Sequence, residues 1–334
     1  MPITIRQVAQ LSGVSVATVS RVFNGYTDVH PDTRARVLAA ARELDYAPSA
    51  AARTLVGRRS QLIGVVLNTG AHADIDNPFF LDVLVGLNHG IHAFGSDLLL
   101  FAVELEGEYL RRARHHRVDG VVIWGVNRND PEIGKLLEAH MPLVAVDLEV
   151  VAPGATWVSS DNVGGARLAI RHLHELGHTR IATITGIVDT KPGAERLEGY
   201  RSEMASLGLA APPEYEQVGD FYADSGHAAM LALLALPEPP TAVFAASDEM
   251  AIGAVGAVRD AGMSVPDDIS LVGFDDSRLA ALLQPPLTTV AQDRVGLGKA
   301  AARALAAAIE HPDETKAPTV LPVELVVRGS SARV

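Results

Sequence analysis

The sequence predicts an α/β protein: a small N-terminal three-helix head joined to a two-lobed body of parallel sheets. Three observations predict it. Two short helical patterns flank a glycine between Thr4 and Asn24, apolar runs alternate with helical segments in two series from Leu62 onward, and the charge changes sign between the two parts. Residues 1 to 60 hold eight arginines and no lysine against Asp28, Asp32, Glu43 and Asp45, a balance of plus 4; the rest carries minus 16, within a total of minus 12. A basic head on an acidic body suits a nucleic-acid binder whose body is held off the phosphates by repulsion.

The remaining bulk properties mainly exclude. A chain of 334 residues, 48% hydrophobic, has room for two or three domains with real cores. The opening MPITIRQ has no basic stretch followed by an apolar one, and no apolar run is long enough to span a bilayer, so a cytoplasmic protein without membrane partners is expected. The absence of cysteine excludes disulfides and thiolate metal sites.

The first helix is signalled by Thr4 as N-cap with Gln7 three residues on, a reciprocal pairing that satisfies orphan backbone groups. Ile5, Val8 and Leu11 are expected to share its inner face. Gly13 ends the helix because it takes the left-handed conformation without steric cost, and Ser15 can cap the next. There Val19, Val22 and Phe23 face inward, leaving Val16, Ala17, Ser20 and Arg21 outward on a surface small enough to enter a major groove. A third helix is expected from Pro31 to Leu44, with Val37, Leu38, Ala41 and Leu44 repeating at helical spacing. His30 precedes it as a weak cap, by about 1 kcal/mol, or as a phosphate contact. Arg34 and Arg36 lie where phosphates could lie, although a solvated face explains them equally. The bland alternative to the whole pattern is a helical hairpin packed on a larger domain. The alanine-rich segment from Tyr46 to Leu55 favours helix but is too short to hold one alone in water.

The stretches TIRQVAQLSGVSVATVSRVFN and PDTRARVLAAARELDYAPSAAARTL resemble the head and hinge of the lactose-repressor (LacI/GalR) family of bacterial transcription regulators. The similarity continues through NPFF, DGVVIWG, DNVGGARLAIRHLHELGHTRIATITG, ASDEMAIGAV, SLVGFDDS, PPLTTVAQD and LPVELVVRGS. The resemblance implies a periplasmic-binding-protein-like body and a head over 1–47. A hinge helix and linker would cover 48–60, with Leu55 wedged into the minor groove. One lobe would comprise 61–160 with 291–320, the other 161–290 with 321–334. The DNA-facing set is then Thr4, Ser15, Val16, Ala17, Thr18, Ser20, Arg21, Asn24, Arg34, Arg53 and Leu55. A homodimer on near-palindromic double-stranded operator DNA, without a C-terminal tetramer helix, is expected.

In the body, LIGVVL, DLLLFAV, VDGVVIW and PLVAVD alternate with helices from Pro78 to Ala93, near Glu108 and from Pro131. After Asp161 a second series alternates RIATITG, a strand near Tyr215, TAVFAAS and SLVGFDD with helices from Val163 to Leu176, Glu195 to Leu207, Ser225 to Leu236 and Met250 to Ala261. This spacing implies parallel sheets with right-handed crossovers.

Small molecules bind such sheets at the carboxyl ends of the strands. Asp147, Ser247, Asp248 and Asp275 follow apolar runs, Arg196 opens a helix, and Phe79, Phe80 and Phe221 offer flat faces. Carboxylates and a guanidinium bind hydroxyls bidentately while rings pack on the C–H face of a pyranose, so the expected effector is a sugar or sugar derivative. A strand-end aspartate is also a common helix cap, which leaves Asp248 open, and one of Phe79 and Phe80 can be core. A purine or other non-sugar corepressor is the alternative. His174-Glu175-Leu176-Gly177-His178 spells HExxH, the zinc-hydrolase motif, but Gly177 stands where the helix should end, so no metal or cofactor is expected and the chain is read as a regulator, not an enzyme.

Overall fold

A computed structural model describes residues 3–23, 26, 28–46, 59–68, 78–103, 108–125 and 129–334. The chain forms two compact units, one running up to Gln61 and one from Leu62 to Val334.

The first unit contains α1 (Ile5–Ser12), α2 (Val16–Phe23) and α3 (Pro31–Glu43). The Thr4 N–H and hydroxyl both donate to Gln7 Oε1, at 2.8 and 3.0 Å. Gly13 closes α1 at φ +67°, and Ser15 Oγ accepts from the Thr18 N–H at 3.1 Å to open α2. His30 Nδ1 accepts from the Asp32 N–H at 3.4 Å, a long and therefore weak cap. Val8, Ala9, Val19, Val22, Val37, Ala40 and Ala41 make the core, with Phe23 edge-on to Tyr46 at 5.6 Å.

Two expected core residues face solvent instead: Leu11 is 46% exposed and Leu38 39%, while Ser12 and Ala40 are buried. Helical geometry supplies the reason. Each residue turns about 100°, so seven residues return to the same face and six leave it by about 120°. Ile5 therefore shares a face with Ser12 rather than Leu11. Ser12 can be buried because its hydroxyl donates to the Val8 carbonyl at 2.6 Å.

The second unit alternates strand and helix: β1 (Leu62–Asn68), α4 (Pro78–Ala93), β2 (Asp97–Val103), α5 (Tyr109–His116), β3 (Gly120–Trp124), α6 (Pro131–Glu138), β4 (Leu143–Val146) and β5 (Ala155–Ser160). The series continues with α7 (Asn162–Glu175), β6 (Ile181–Thr185), α8 (Lys191–Ser206), β7 (Glu216–Val218), α9 (Ala223–Leu234), β8 (Ala242–Ala245), α10 (Asp248–Asp260) and β9 (Ser270–Asp275). It closes with β10 (Thr288–Gln292), α11 (Arg294–Glu310), β11 (Thr319–Leu321) and β12 (Val323–Val326).

Two six-stranded sheets result, ordered β11-β5-β4-β3-β1-β2 and β12-β10-β9-β8-β6-β7. Every pairing is parallel except β10 with β12. Strands covered by helices on both faces need apolar side chains on both, which is why β4, β6 and β8 are buried end to end. The chain passes from the first sheet to the second between β5 and α7, returns with α11, which packs on α4, and crosses once more between β11 and β12. Gly86 of α4 lets the helices approach closely, since a Cβ there would lie 2.0 Å from the Val295 carbonyl oxygen.

β5 has no counterpart among the strands expected from the apolar runs, because Thr156, Ser159 and Ser160 interrupt the apolar pattern and yet are buried. α8 begins at Lys191, four residues before the expected Glu195, capped by Thr190 Oγ1, which accepts from the Gly193 N–H. α7 stops at Glu175, and Gly177 adopts φ +98°. His178 therefore lies past the helix end, its Nδ1 2.9 Å from Thr241 Oγ1 and its Nε2 3.1 Å from the Ala332 carbonyl. The HExxH spelling thus has one of its histidines tied to the C-terminal segment, not aligned with the other on a helix. Among the described residues no helix is long and apolar enough to cross a membrane.

Candidate functional site: a polar cleft and an exposed helix

The carboxyl ends of the two sheets supply one polar constellation. Arg196, in the second turn of α8, is its centre: only 4% exposed, it donates from Nε to Asn162 Oδ1 at 2.9 Å and from a terminal nitrogen to the Ala246 carbonyl at 2.5 Å. Its guanidinium lies 3.7 Å from the centroid of Phe274 and 5.9 Å from that of Phe221. Burial lowers its pKa, opposed by the negative charges of Asp275, Asp147 and Asp248. Asp275, the last residue of β9 and at φ +118°, is 3.6 Å from Arg196 and accepts from Gln292 Nε2 at 2.6 Å. Burial raises its pKa, and Arg196 and Arg294 pull it back.

Asp147 follows β4 at φ +55° and accepts from Ser159 Oγ at 2.6 Å. Burial pushes its pKa up to about 6 against the pull of that hydrogen bond and of Arg196. Phe221, at φ +75°, presses its ring against Gly186. Asp147, Arg196, Asp275 and Phe221 stand together.

Three others stand differently. Asp248 is fully buried and both its oxygens are taken, one by Thr289 Oγ1 and one by the Ser277 N–H, each at 2.6 Å. Its pKa is raised by burial and then by Asp275. Ser247 Oγ caps α10, accepting from the Met250 N–H, and so is committed to the backbone. Phe80 is core: it is 8% exposed and stacks on Trp124 at 4.7 Å, whereas Phe79 is half-buried and meets the same indole edge-on at 5.3 Å.

Several residues at this place escape a reading of strand ends. Trp124 closes β3 and anchors both phenylalanines; the apolar run GVVIW concealed it. Arg294 bridges from α11 to Asp82 of α4, at 2.9 and 3.1 Å, and to the Asp275 carbonyl at 2.5 Å. Lys191 of α8 donates to Glu149 at 2.7 Å and to Glu195, and sits 4.4 Å from the Trp157 ring centroid. Burial opposes its charge, but the two carboxylates outweigh that and leave its pKa raised. The side-chain oxygens of Ser160, Thr185 and Ser277 and one of Glu249 are buried with no hydrogen-bond partner among the described residues. Unsatisfied groups of this kind are costly unless something completes them. Carboxylates, a guanidinium fork, orphan hydroxyls and aromatic faces in one place suit a polyhydroxylated small molecule.

The first unit presents a different surface. Ser15, Val16, Ala17 and Arg21 are exposed, Thr18 and Ser20 half-buried, and Thr4 exposed at the start of α1. Arg21 pairs with Asp28 and lies 5.2 Å from the Tyr26 ring centroid. Arg34 donates to the Val22 carbonyl at 3.4 Å and the Tyr26 carbonyl at 2.5 Å, which ties it to the end of α2. Arg36 is exposed. Asn24, Arg53, Leu55 and the expected hinge lie outside the described residues.

A three-helix unit with an exposed second helix, in one chain with a two-sheet body that gathers polar groups at its strand ends, fits a ligand-responsive DNA-binding regulator. The description "Bacterial regulatory proteins, lacI family" matches residues 4–49, and "Periplasmic binding protein-like domain" matches residues 170–331. The chain is 39% identical to the HTH-type transcriptional regulator CelR of Thermobifida fusca, with 98% of each chain covered. It is 35% identical to the ribose operon repressor of Escherichia coli (strain K12), with 98% of this chain and 99% of that one covered. Among solved structures, a transcriptional regulator CelR–cellobiose complex aligns with a TM-score of 0.75 at 37% identity, over 98% of this chain and 99% of that one. The lac repressor dimer bound to operator and the anti-inducer ONPF aligns at 0.87 and 29% identity, over 99% and 100%. The chain belongs to the lacI family of bacterial regulatory proteins, which are DNA-binding transcriptional regulators and not enzymes.

Proposed function

We propose that this chain is a homodimeric repressor of carbohydrate-utilisation genes that binds a near-palindromic operator, and that a sugar or sugar derivative held between its lobes switches its affinity. The observation that carries the reading is the convergence of Asp147, Arg196, Asp275 and Phe221, with orphan hydroxyls at the strand ends. Relatives whose names or titles include ribose and cellobiose support the sugar class. The proposed parts are a head over 1–47, a hinge and linker over 48–60, one lobe of 61–160 with 291–320 and another of 161–290 with 321–334. In the head, Arg21 reads a base edge, Val16 and Ala17 meet thymine methyl groups, and Ser15, Thr18, Ser20, Thr4 and Asn24 assist. Arg53 meets phosphate and Leu55 wedges the minor groove. Ligand binding alters the pose of the lobes, with a coupling of about 1 to 3 kcal/mol between cleft and DNA.

A thermal-shift screen of mono- and disaccharides, with purines as a second arm, tests the effector. Each hit is then added to a gel shift on an operator selected from random duplexes. A stabilising sugar that changes the gel shift supports the reading. Stabilisation by purines alone removes the sugar assignment, and a sugar that stabilises the chain without moving the gel shift removes the switch.

A further inference from the structure

The body is acidic, yet one helix reverses that sign. Between positions 111 and 117 stand Arg111, Arg112, Arg114, His115, His116 and Arg117, and no acid occurs from Tyr109 to Val118. A charge run on a helix is ordinarily a solvated face, with acids three or four residues away to balance it. Here one arginine is balanced: Arg111 pairs with Glu108, while Arg112, Arg114 and Arg117 make no ion pair among the described residues. Arg114, His115, His116 and Arg117 are exposed.

The position of the run in the fold gives it direction. α5 ends at His116, Arg117 caps it at φ +55°, and the chain turns at once into β3. β3 starts beside β1, with Gly120 in register with Ile63, and the Asp119 N–H donates to the Leu62 carbonyl at 2.8 Å. The unbalanced arginines therefore sit at the amino-terminal edge of the first sheet, the end at which the chain arrives from residues 59–61. The polar constellation around Arg196 lies at the opposite, carboxyl end of the strands.

We infer that the carboxyl-terminal end of α5 is a second, sequence-independent DNA contact, in which Arg112, Arg114 and Arg117 meet phosphates of the duplex that the heads hold. This rests on the reading of the chain as an operator-binding dimer. Charge complementarity selects the partner: a polyanion is drawn to the cationic end and repelled by the rest of the body, so the patch orients the body as well as adding affinity.

The test uses the full-length chain. The wild type selects a site from a random duplex pool, and its affinity for that site is followed by fluorescence anisotropy between about 50 and 200 mM salt. Two variants are compared, Arg112→Gln/Arg114→Gln and a control of equal charge change elsewhere on the body, Arg259→Gln/Arg303→Gln. With about 0.9 counterions released per neutralised phosphate, loss of four arginines from a dimer lowers the slope of log K against log salt by roughly 3 to 4. The control is expected to change it by less than about 1. Base preference stays as in the wild type, and circular dichroism verifies that both variants fold; Arg114→Glu alone repeats the measurement at an exposed position. Equal slopes in the two double variants, or a wild-type slope in Arg112→Gln/Arg114→Gln, overturn the inference and leave an acidic protein surface as the occupant. A wild-type chain that enriches no sequence from the pool overturns the DNA-binding reading itself, and this inference with it.

Discussion

The head and the body each contain an arginine–aspartate pair, and the two obey opposite physics. In Arg21–Asp28 the side chains are 51% and 55% exposed; in Arg196–Asp275 they are 4% and 11% exposed. An exposed pair in high dielectric contributes little and exchanges partners freely, with water and salt competing for both ends. A buried pair has lost its hydration, so removing one partner strands the other as an uncompensated charge. Arg21 can thus leave Asp28 for a base edge at small cost, while Arg196 is held by Asn162, Ala246 and Phe274 and can serve as a fixed wall of a binding site. The head thus offers an available cation and the body a preorganised one.

The largest expected effect comes from breaking the buried pair. Arg196→Ala should destabilise the body by about 3 to 5 kcal/mol in urea unfolding, because Asp275 and Asp147 lose a buried cation whose charge favours their ionised forms. Arg196→Ala/Asp275→Asn should recover part of that loss; no recovery would mean that the pair is not coupled. On the head, Arg21→Ala should weaken operator binding by about 1 to 3 kcal/mol and relax preference at one base pair, with the melting temperature little changed. An equal loss on random DNA would place Arg21 on phosphate instead.

Asp147 sharpens the comparison through pH. Its pKa rises on folding from 3.8 to about 6, so the fold favours the protonated form. That contribution to stability is complete below about 4 and is lost as pH rises through about 6. Asp147→Asn keeps an acceptor for Ser159 and should flatten the fall in stability between about pH 4 and 6; a wild-type slope in this window would mean that another group titrates there. Smallest of all, Asp28→Asn should change the stability of the head by less than about 1 kcal/mol while tightening its grip on random DNA. A larger loss would make that pair structural.

Much was legible in order along the chain. Thr4 with Gln7, Gly13, Ser15 and the apolar runs locate elements by local rules, since caps, left-handed glycines and β-branched runs act within a few residues. The site was legible in part. Asp147, Arg196, Phe221 and Asp275 stand at element ends, where position alone suggests a ligand. Trp124 was hidden inside an apolar run, Gln292 and Arg294 stand at a crossing between the sheets, and Lys191 owes its place to Glu149, which is distant in sequence. Asp248 and Ser247 occupy similar sequence contexts to Asp275, yet packing turned them toward Thr289, Ser277 and the α10 backbone.

By itself the sequence determined the class: a basic helix-turn-helix head and an acidic α/β body follow from periodicity and charge, and the lacI family from the resemblance of its ordered motifs. Only the tertiary structure decided which polar groups are free to act. Whether an aspartate caps a helix, pairs with a neighbour or waits for a ligand depends on what packs against it. Burial sets the cost of leaving it unsatisfied, and that cost separates the loose Arg21 from the fixed Arg196.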